Sequence, residues 1–375
     1  MKIAVIGGHL SPSLALIEKL PKEVEVIYIG RKNTFEGDDS RSLEYSTITD
    51  HGIKFYPLTT GRLQRRFTKN SLITLSKVPL GFLSARKILK KENPDIVVGF
   101  GGYLSLAVCT AAKSLGIPVV IHEQTLEAGL ANKIISKFAD KICISFESSK
   151  KFFPNSKTIL TGNPIRSEIQ VRDAIARADL KIDGNLPVIY ITGGSTGSHT
   201  INCAVESCIE VLLEEASVIH QTGDAREFND YARLEQKKNT FPDEKKSRYR
   251  LQKFIMPKEV GFVMQNSALV VGRSGINTVS ELLYLKKPAL LIPLPFAQRN
   301  EQLKNAQMLR EAGLAEILMQ SELTGITLLE KITTMLENMK KYTIIKEFDQ
   351  QNDPAHALWE TIKDVAEKKN KPQKK

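Results

Sequence analysis

The stretch VVGRSGINTVSELLYLKKPALLIPLPFAQRNEQLKNA, residues 270–306, decides how this chain is read. It opens as an apolar strand, breaks at Gly272-Arg273-Ser274-Gly275, and enters a helix that carries Glu281. A second apolar run, PALLIPL, follows. The polar run Gln298-Arg299-Asn300-Glu301-Gln302 comes next, with Asn305 one turn on. Apolar runs with no polar face, separated by helices, mark parallel strands covered on both sides. In such a sheet the polar residues that follow each strand gather at one edge.

The same alternation runs through the whole chain. In the first half KIAVI, EVEVIYIG, IKFYPL, DIVVGFGG, PVVIHE and KICIS read as strands, with helices expected at 12–20, 71–92, 103–115 and 127–138. In the second half PVIYITGG, ASVIHQTG, RLQKFI, ALVVGRSG and PALLIPL repeat the pattern. The fold class is therefore α/β, with two Rossmann-like domains whose parallel sheets face a cleft. The expected division is 1–164 and 165–350, with the hinge after TILTGNPIRSEI at 158–169. A polar helical stretch should follow the hinge, and a C-terminal helix at about 353–368 can pack back on the first domain. Residues 369–375 form a basic tail expected to be disordered.

A chain of 375 residues exceeds what one core supports, which agrees with two domains. No apolar run is long enough to cross a membrane, and MKIAVIGGHL reads as a first strand, not a signal peptide. Cys109, Cys143, Cys203 and Cys208 lie in apolar segments without metal spacing, so reduced thiols in a cytosolic protein are expected. The net charge of +11 favours a polyanionic partner: nucleic acid, an acidic membrane surface or a phosphorylated substrate. Part of that excess belongs to the tail EKKNKPQKK.

The glycine turns fall at strand ends. In VIGGHLSPSLAL, Gly7 and Gly8 precede His9, and Pro12 suits a first helical turn. A helix N-terminus disfavours added positive charge, so His9 stays neutral and can act as a general base; a histidine capping its own helix is the alternative. Gly99, Gly101 and Gly102, followed by Tyr103, make a second such turn. His122, Glu123 and Gln124 stand at another strand end, with Ala128-Gly129 opening the next helix. In YITGGSTGSHTIN, Gly193, Gly194, Ser195, Thr196, Gly197 and Ser198 would aim N–H groups and hydroxyls at a diphosphate. This is neither a P-loop nor GxGxxG. Glu281 can take ribose hydroxyls, and the run from Gln298 to Asn305 can bind sugar hydroxyls and an amide. Together these features describe a nucleotide-sugar site.

In order along the chain stand GGH, GFGGY, IHEQ…AGLANK, TGNPIR, GGSTGS…N, HQTG, GRSGINTVSE and NEQLKNA. The set resembles the MurG family of glycosyltransferases, within glycosyltransferase family 28, over roughly residues 3–320. The resemblance implies a GT-B fold and inverting transfer of N-acetylglucosamine (GlcNAc) from UDP-GlcNAc. The implied acceptor is the 4-hydroxyl of a polyprenyl-diphosphate-linked muramoyl peptide, lipid I, giving lipid II for peptidoglycan. It implies that Gly193, Gly194, Ser195, Thr196 and Gly197 contact the donor diphosphate, joined by Arg166. Ile255 would meet the uracil and Glu281 the ribose. Ala297, Glu301, Gln302 and Asn305 would surround the GlcNAc, with Arg273 and Ser274 shaping the adjacent loop. On the acceptor side it implies Gly7, Gly8, Gly101, Gly102, Tyr103, Glu123, Gln124 and Thr125, with His9 as catalytic base or as a group that orients the acceptor. No Asp-x-Asp metal clamp appears, and neither a cofactor nor a metal is expected.

Two departures lie on the acceptor side. The family's GGTGGH is shortened here to IGGH, and its HEQN is HEQT, with Thr125 in place of asparagine. Residues 61–91 mix Arg62, Arg65, Arg66 and Lys69 with Leu72, Ile73, Leu75, Leu80, Phe82 and Leu83. Such a mixture suits peripheral docking on an anionic leaflet at the cytoplasmic face of the cell membrane, or an ordinary helix facing its own sheet. Other readings are a UDP-sugar-dependent diacylglycerol glycosyltransferase, a UDP-GlcNAc 2-epimerase and a non-catalytic binding subunit. Nothing resembles a nucleic-acid-binding module, and no nucleic acid partner is expected.

Overall fold

The computed structural model describes residues 1–33, 41–58, 69–170, 186–194, 196–224, 227–297, 300–346 and 353–370, with backbone alone at 43, 69–78, 257, 258 and 370. The chain divides into two compact units, Met1–Arg166 with Asp349–Lys375, and Ser167–Phe348.

The first unit runs β1 (Lys2–Ile6), α1 (Leu10–Lys19), β2 (Glu25–Gly30), α2 (Leu43–Asp50), β3 (Lys54–Pro57), α3 (Lys69–Glu92) and β4 (Ile96–Gly99). It continues through α4 (Gly102–Ser114), β5 (Val119–Glu123), α5 (Leu130–Ile135), β6 (Lys141–Ile144) and β7 (Thr158–Leu160). All seven strands are parallel, in the order β3-β2-β1-β4-β5-β6-β7. Side chains alternate across the sheet, as the strand pleat requires. Ala4 and Ile6 pack on the face covered by α3 and α4, while Ile3 and Val5 join the opposite cluster with Leu14 and Leu16.

The second unit begins with α6 (Ser167–Gln170) and β8 (Val188–Thr192), then α7 (His199–Glu215), β9 (Ser217–Gln221), α8 (Asp230–Asn239), α9 (Asp243–Arg248) and β10 (Tyr249–Gln252). After these come α10 (Pro257–Asn266), β11 (Leu269–Gly272), α11 (Ile276–Leu285), β12 (Ala289–Leu291), α12 (Glu301–Glu311), β13 (Ala315–Ile317) and α13 (Gly325–Glu337). Its six strands, also parallel, follow the order β10-β9-β8-β11-β12-β13. The last helix, α14 (Pro354–Asn370), belongs to the first unit. Leu358, Trp359 and Ile362 complete the cluster around Ile3 and Val5.

The structure corrects several element boundaries. The helix expected at 127–138 is the shorter α5, and α1 starts two residues before Pro12. Strands β7 and β13 were not anticipated. At three residues each they are too short to show periodicity, and neighbouring strands hold them in place. Lys369 and Asn370, expected in the basic tail, continue the last helix, while the polar stretch after residue 170 and residues 371–375 lie outside the described residues.

The strand orders fix where ligands can bind. In both sheets the order reverses beside the first strand, between β1 and β4 and between β8 and β11. A doubly wound sheet opens a crevice at the carboxyl ends of the strands flanking that point.

Candidate functional site

In the first unit the switch point is bordered by the Gly7-Gly8-His9 turn after β1 and the Phe100-Gly101-Gly102 turn after β4. The two turns touch: a Cβ on Gly8 would overlap the Gly101 carbonyl oxygen. Gly101 and Gly102 have φ of 82° and 76°, a backbone that side-chain-bearing residues rarely adopt. Gly7 is crowded from another direction, by the Glu44 carboxylate, which also accepts from Arg31 N at 3.0 Å and Tyr28 Oη at 3.0 Å.

His9 occupies the N-cap position of α1, but its side chain makes no capping hydrogen bond. The imidazole lies near Gly101, whose Cβ would stand 3.7 Å from His9 Cδ2. Desolvation pushes His9 down to about 4, so it is neutral and able to accept a proton at physiological pH.

The segment from His122 to Thr125 is held more tightly than its polarity suggests. Glu123 accepts from Thr125 N at 3.2 Å, Gly129 N at 2.9 Å and Asn132 Nδ2 at 3.0 Å, and Thr125 Oγ1 lies 2.7 Å from it. Its carboxylate thus shapes its own loop. Gln124 is buried, and its Oε1 has no partner among the described residues. His122, lowered to about 4 by burial, sits 3.0 Å from the Gly162 carbonyl and braces the TGNPIR turn. Tyr103 is half-buried, with the Arg31 guanidinium 5.8 Å from its ring centre.

In the second unit the switch point is bordered by the glycine loop after β8 and by Arg273-Ser274 after β11. Ser198 caps α7 by accepting from Ile201 N. Ser195 lies outside the described residues. The loop folds back on itself through Gly197 N donating to Gly194 O at 3.1 Å. Gly197, with φ of 79°, is packed so closely on Thr222 that a Cβ would overlap the Thr222 carbonyl. Thr196 is exposed at the loop surface.

Arg273 locks this edge together. Its Nη2 donates to Ser198 Oγ and to Gln320 Oε1, both at 2.7 Å, and its Nη1 to Ile292 O at 3.1 Å. Ser274 Oγ donates to Gln302 O at 2.7 Å, and Asn305 Nδ2 donates to Ser274 O at 3.0 Å. The two amide residues expected around a sugar therefore also fix α12 to the turn after β11. Asn305 Oδ1 remains buried with no partner among the described residues. Glu281 is buried on the second turn of α11, and Glu301 is the first residue of α12. Ala297 is half-buried just before, while Gln298 and Arg299 lie outside the described residues. Ile255 is buried, with its N–H on Gln221 Oε1 at 3.1 Å. Arg166 ends the first segment of the first unit, directly before the second unit begins.

Behind the glycine loop, at the HQTG segment, lies a supporting layer whose partners no local pattern in the sequence identifies. Buried His220 lies between Tyr249 Oη at 2.9 Å and Asn202 Oδ1 at 3.0 Å. Asn202 in turn donates to Thr222 O at 3.1 Å and Asp230 Oδ2 at 2.7 Å. This chain holds the Thr222 carbonyl against Gly197. Beside it His199, Cys203 and Asp230 form a group of metal-type donors, with Arg233 3.0 Å from Asp230 and 3.5 Å from Cys203 Sγ.

The glycosyltransferase family 28 N-terminal domain matches residues 4–144, and the family's C-terminal domain matches residues 188–358. The chain belongs to this family. It is an α/β glycosyltransferase with two Rossmann-like domains, consistent with the GT-B fold. The UDP-N-acetylglucosamine--N-acetylmuramyl-(pentapeptide) pyrophosphoryl-undecaprenol N-acetylglucosamine transferase of Lachnospira eligens is 34% identical over 370 residues, covering 97% of this chain and 99% of that one. The protein of the same name from Clostridium perfringens is 36% identical over 340 residues, covering 90% of this chain and 89% of that one. Acinetobacter baumannii MurG shares the fold at a TM-score of 0.70 and 24% identity, over 97% of this chain and 99% of that one. Neisseria meningitidis UDP-GlcNAc 2-epimerase shares it at 0.65 and 16% identity, over 97% of this chain and 100% of that one.

Proposed function

We propose that this glycosyltransferase moves GlcNAc from UDP-GlcNAc to the 4-hydroxyl of a polyprenyl-diphosphate-linked MurNAc peptide, forming lipid II with inversion. The observation that carries the reading is full-length coverage. The Lachnospira eligens protein of that name aligns along 97% of this chain and 99% of its own length, so the likeness takes in both units.

The second unit takes the donor. The loop from Gly193 to Gly197, including Ser195 and Thr196, meets the diphosphate with N–H groups and hydroxyls at the positive end of α7, and Arg166 adds charge. Ile255 meets the uracil, and Glu281 accepts from the ribose hydroxyls. Ala297, Glu301, Gln302 and Asn305 surround the sugar beside the Arg273-Ser274 turn.

The first unit takes the acceptor, with Gly7, Gly8, Gly101 and Gly102 offering backbone donors to its diphosphate. Tyr103, Gln124 and Thr125 border the sugar and peptide, and Glu123 holds their loop in shape. His9 removes the proton from the 4-hydroxyl as that oxygen bonds the anomeric carbon. The bond from that carbon to the UDP oxygen breaks on the opposite face, its electron pair passing to the diphosphate. The loop amides stabilise that developing charge.

Reaching a lipid-linked acceptor calls for membrane contact. No described helix is long and apolar enough to cross a membrane. On α3, Leu80 and Leu83 are 63% and 58% exposed beside exposed Lys87, Lys90 and Lys91, whereas Phe82 packs on the core. Peripheral docking of this face on an anionic cytoplasmic leaflet fits that pattern. Arg62, Arg65 and Arg66 lie outside the described residues, as do the side chains of Lys69, Leu72, Ile73 and Leu75.

The test is transfer of labelled GlcNAc from UDP-GlcNAc to a short-chain lipid I analogue, with diacylglycerol vesicles alongside and the recovered UDP-sugar checked for 2-epimerisation. Label in the lipid I product supports the reading. Label only in the glycolipid, or epimerisation without transfer, replaces it.

A further inference from the structure

We infer that Gln221 is a positioning residue for the donor, joining the diphosphate loop to the segment that reads the uracil. This rests on the donor reading above. Gln221 ends β9, and its buried carboxamide spans two separate loops. Its Oε1 accepts from Ile255 N–H at 3.1 Å and from Tyr190 Oη–H at 3.2 Å. Its Nε2 donates to the Gly194 carbonyl at 3.1 Å. That carbonyl also closes the glycine loop by accepting from Gly197 N. One planar group therefore sets both the loop that would hold the phosphates and the peptide plane that would meet the base.

The chemistry calls for a carboxamide, because one end must accept and the other must donate. A carboxylate of the same shape would turn lone pairs toward the Gly194 carbonyl and push the loop away. A methionine would fill the same space and make none of the three bonds. Tyr190, Gln221 and Ile255 come from β8, β9 and the segment after β10, which are neighbours in the sheet, so the bridge follows from strand order.

The experiment measures UDP and CDP binding by calorimetry for wild type, Gln221→Glu and Gln221→Met, with folding checked by circular dichroism. At pH 8, Gln221→Glu should weaken UDP binding roughly tenfold or more, since a buried polar contact becomes repulsive. Near pH 5 the introduced carboxyl, once protonated, donates to Gly194 and recovers most of that loss. Gln221→Met should weaken UDP at both pH values and narrow the preference for UDP over CDP, because the peptide plane at Ile255 is released. Saturated turnover should fall much less than KM rises. In wild type, pyrophosphate alone should slow amide exchange at 253–256 as well as in the glycine loop. A folded Gln221→Met with unchanged UDP affinity and selectivity overturns the inference. Pyrophosphate protection confined to the loop overturns it too, even if neither variant folds. Wild type that binds no UDP removes the donor reading itself, a separate result.

Discussion

Arg273 Nη2 stands 2.7 Å from Ser198 Oγ, so the turn after β11 is tied to the N-cap of the helix that ends the glycine loop. The same guanidinium holds Gln320 Oε1 and the Ile292 carbonyl. One side chain thus ties together the two strand ends that flank the switch point of the second sheet. Burial lowers its basicity without neutralising it.

Replacing Arg273 by lysine keeps a charge but loses the planar fork that reaches three acceptors. UDP-GlcNAc affinity should fall about tenfold or more while the protein stays folded. Calorimetry against UDP-GlcNAc checks this, and unaltered affinity would mean that the tie does not shape the donor loop.

His9→Ala should leave UDP binding nearly intact and reduce transfer by about 10²–10⁴, the usual contribution of a positioned base. With the imidazole lowered to about 4, the acid limb due to His9 should fall near pH 4, well below an ordinary histidine. Steady-state rates across pH 4–8 with saturating acceptor measure both. A variant turning over at the wild-type rate removes His9 from the chemistry.

Gly197→Ala places a methyl group against the Thr222 carbonyl at a φ of 79°. The strain and overlap should cost about 2–4 kcal/mol or displace the loop. A lowered melting temperature together with lost UDP binding is the expected pair of results. Gly52→Ala is the control: it has a similar φ of 70° but no atoms within reach, so it should cost only about 1 kcal/mol.

His220 is buried and held down to about 3, whereas in the unfolded chain it titrates near 6.5. Below about 6.5 the unfolded chain binds a proton that the folded chain refuses. The stability this provides is complete above that pH and drains away as pH falls toward 3, by roughly 1.4 kcal/mol per unit within the window. Urea midpoints from pH 7.5 to 4 should fall less steeply in His220→Gln than in wild type. Equal slopes would count against a neutral buried imidazole.

Leu80→Ser combined with Leu83→Ser removes two exposed apolar side chains without touching the core. Cosedimentation with anionic vesicles should drop several-fold, while transfer to a water-soluble acceptor analogue stays unchanged. If vesicle binding persists, the docking surface lies elsewhere.

Much of this protein is legible in one dimension. Runs such as KIAVI and VIYIT are apolar on both faces, and that alone requires parallel strands buried between helices. The turns at Gly7-Gly8, Gly101-Gly102 and Gly193–Gly197 follow those strands directly, so the positions of the candidate site residues at strand ends could be read before any coordinates. What the sequence could not supply is adjacency. Gly8 meets Gly101, and Ser198 meets Arg273, only because the strand order places β1 beside β4 and β8 beside β11. Partnership is likewise a tertiary matter. Glu123, Gln302 and Asn305 look like ligand-seeking polar residues in a linear string, yet each also satisfies backbone groups that folding brings within reach. Gln221 shows the converse, since nothing around it in the chain reveals that its amide spans two loops. Local sequence fixes which segments bury their faces through the hydrophobic effect, but a hydrogen bond between distant residues exists only once the sheet has ordered them.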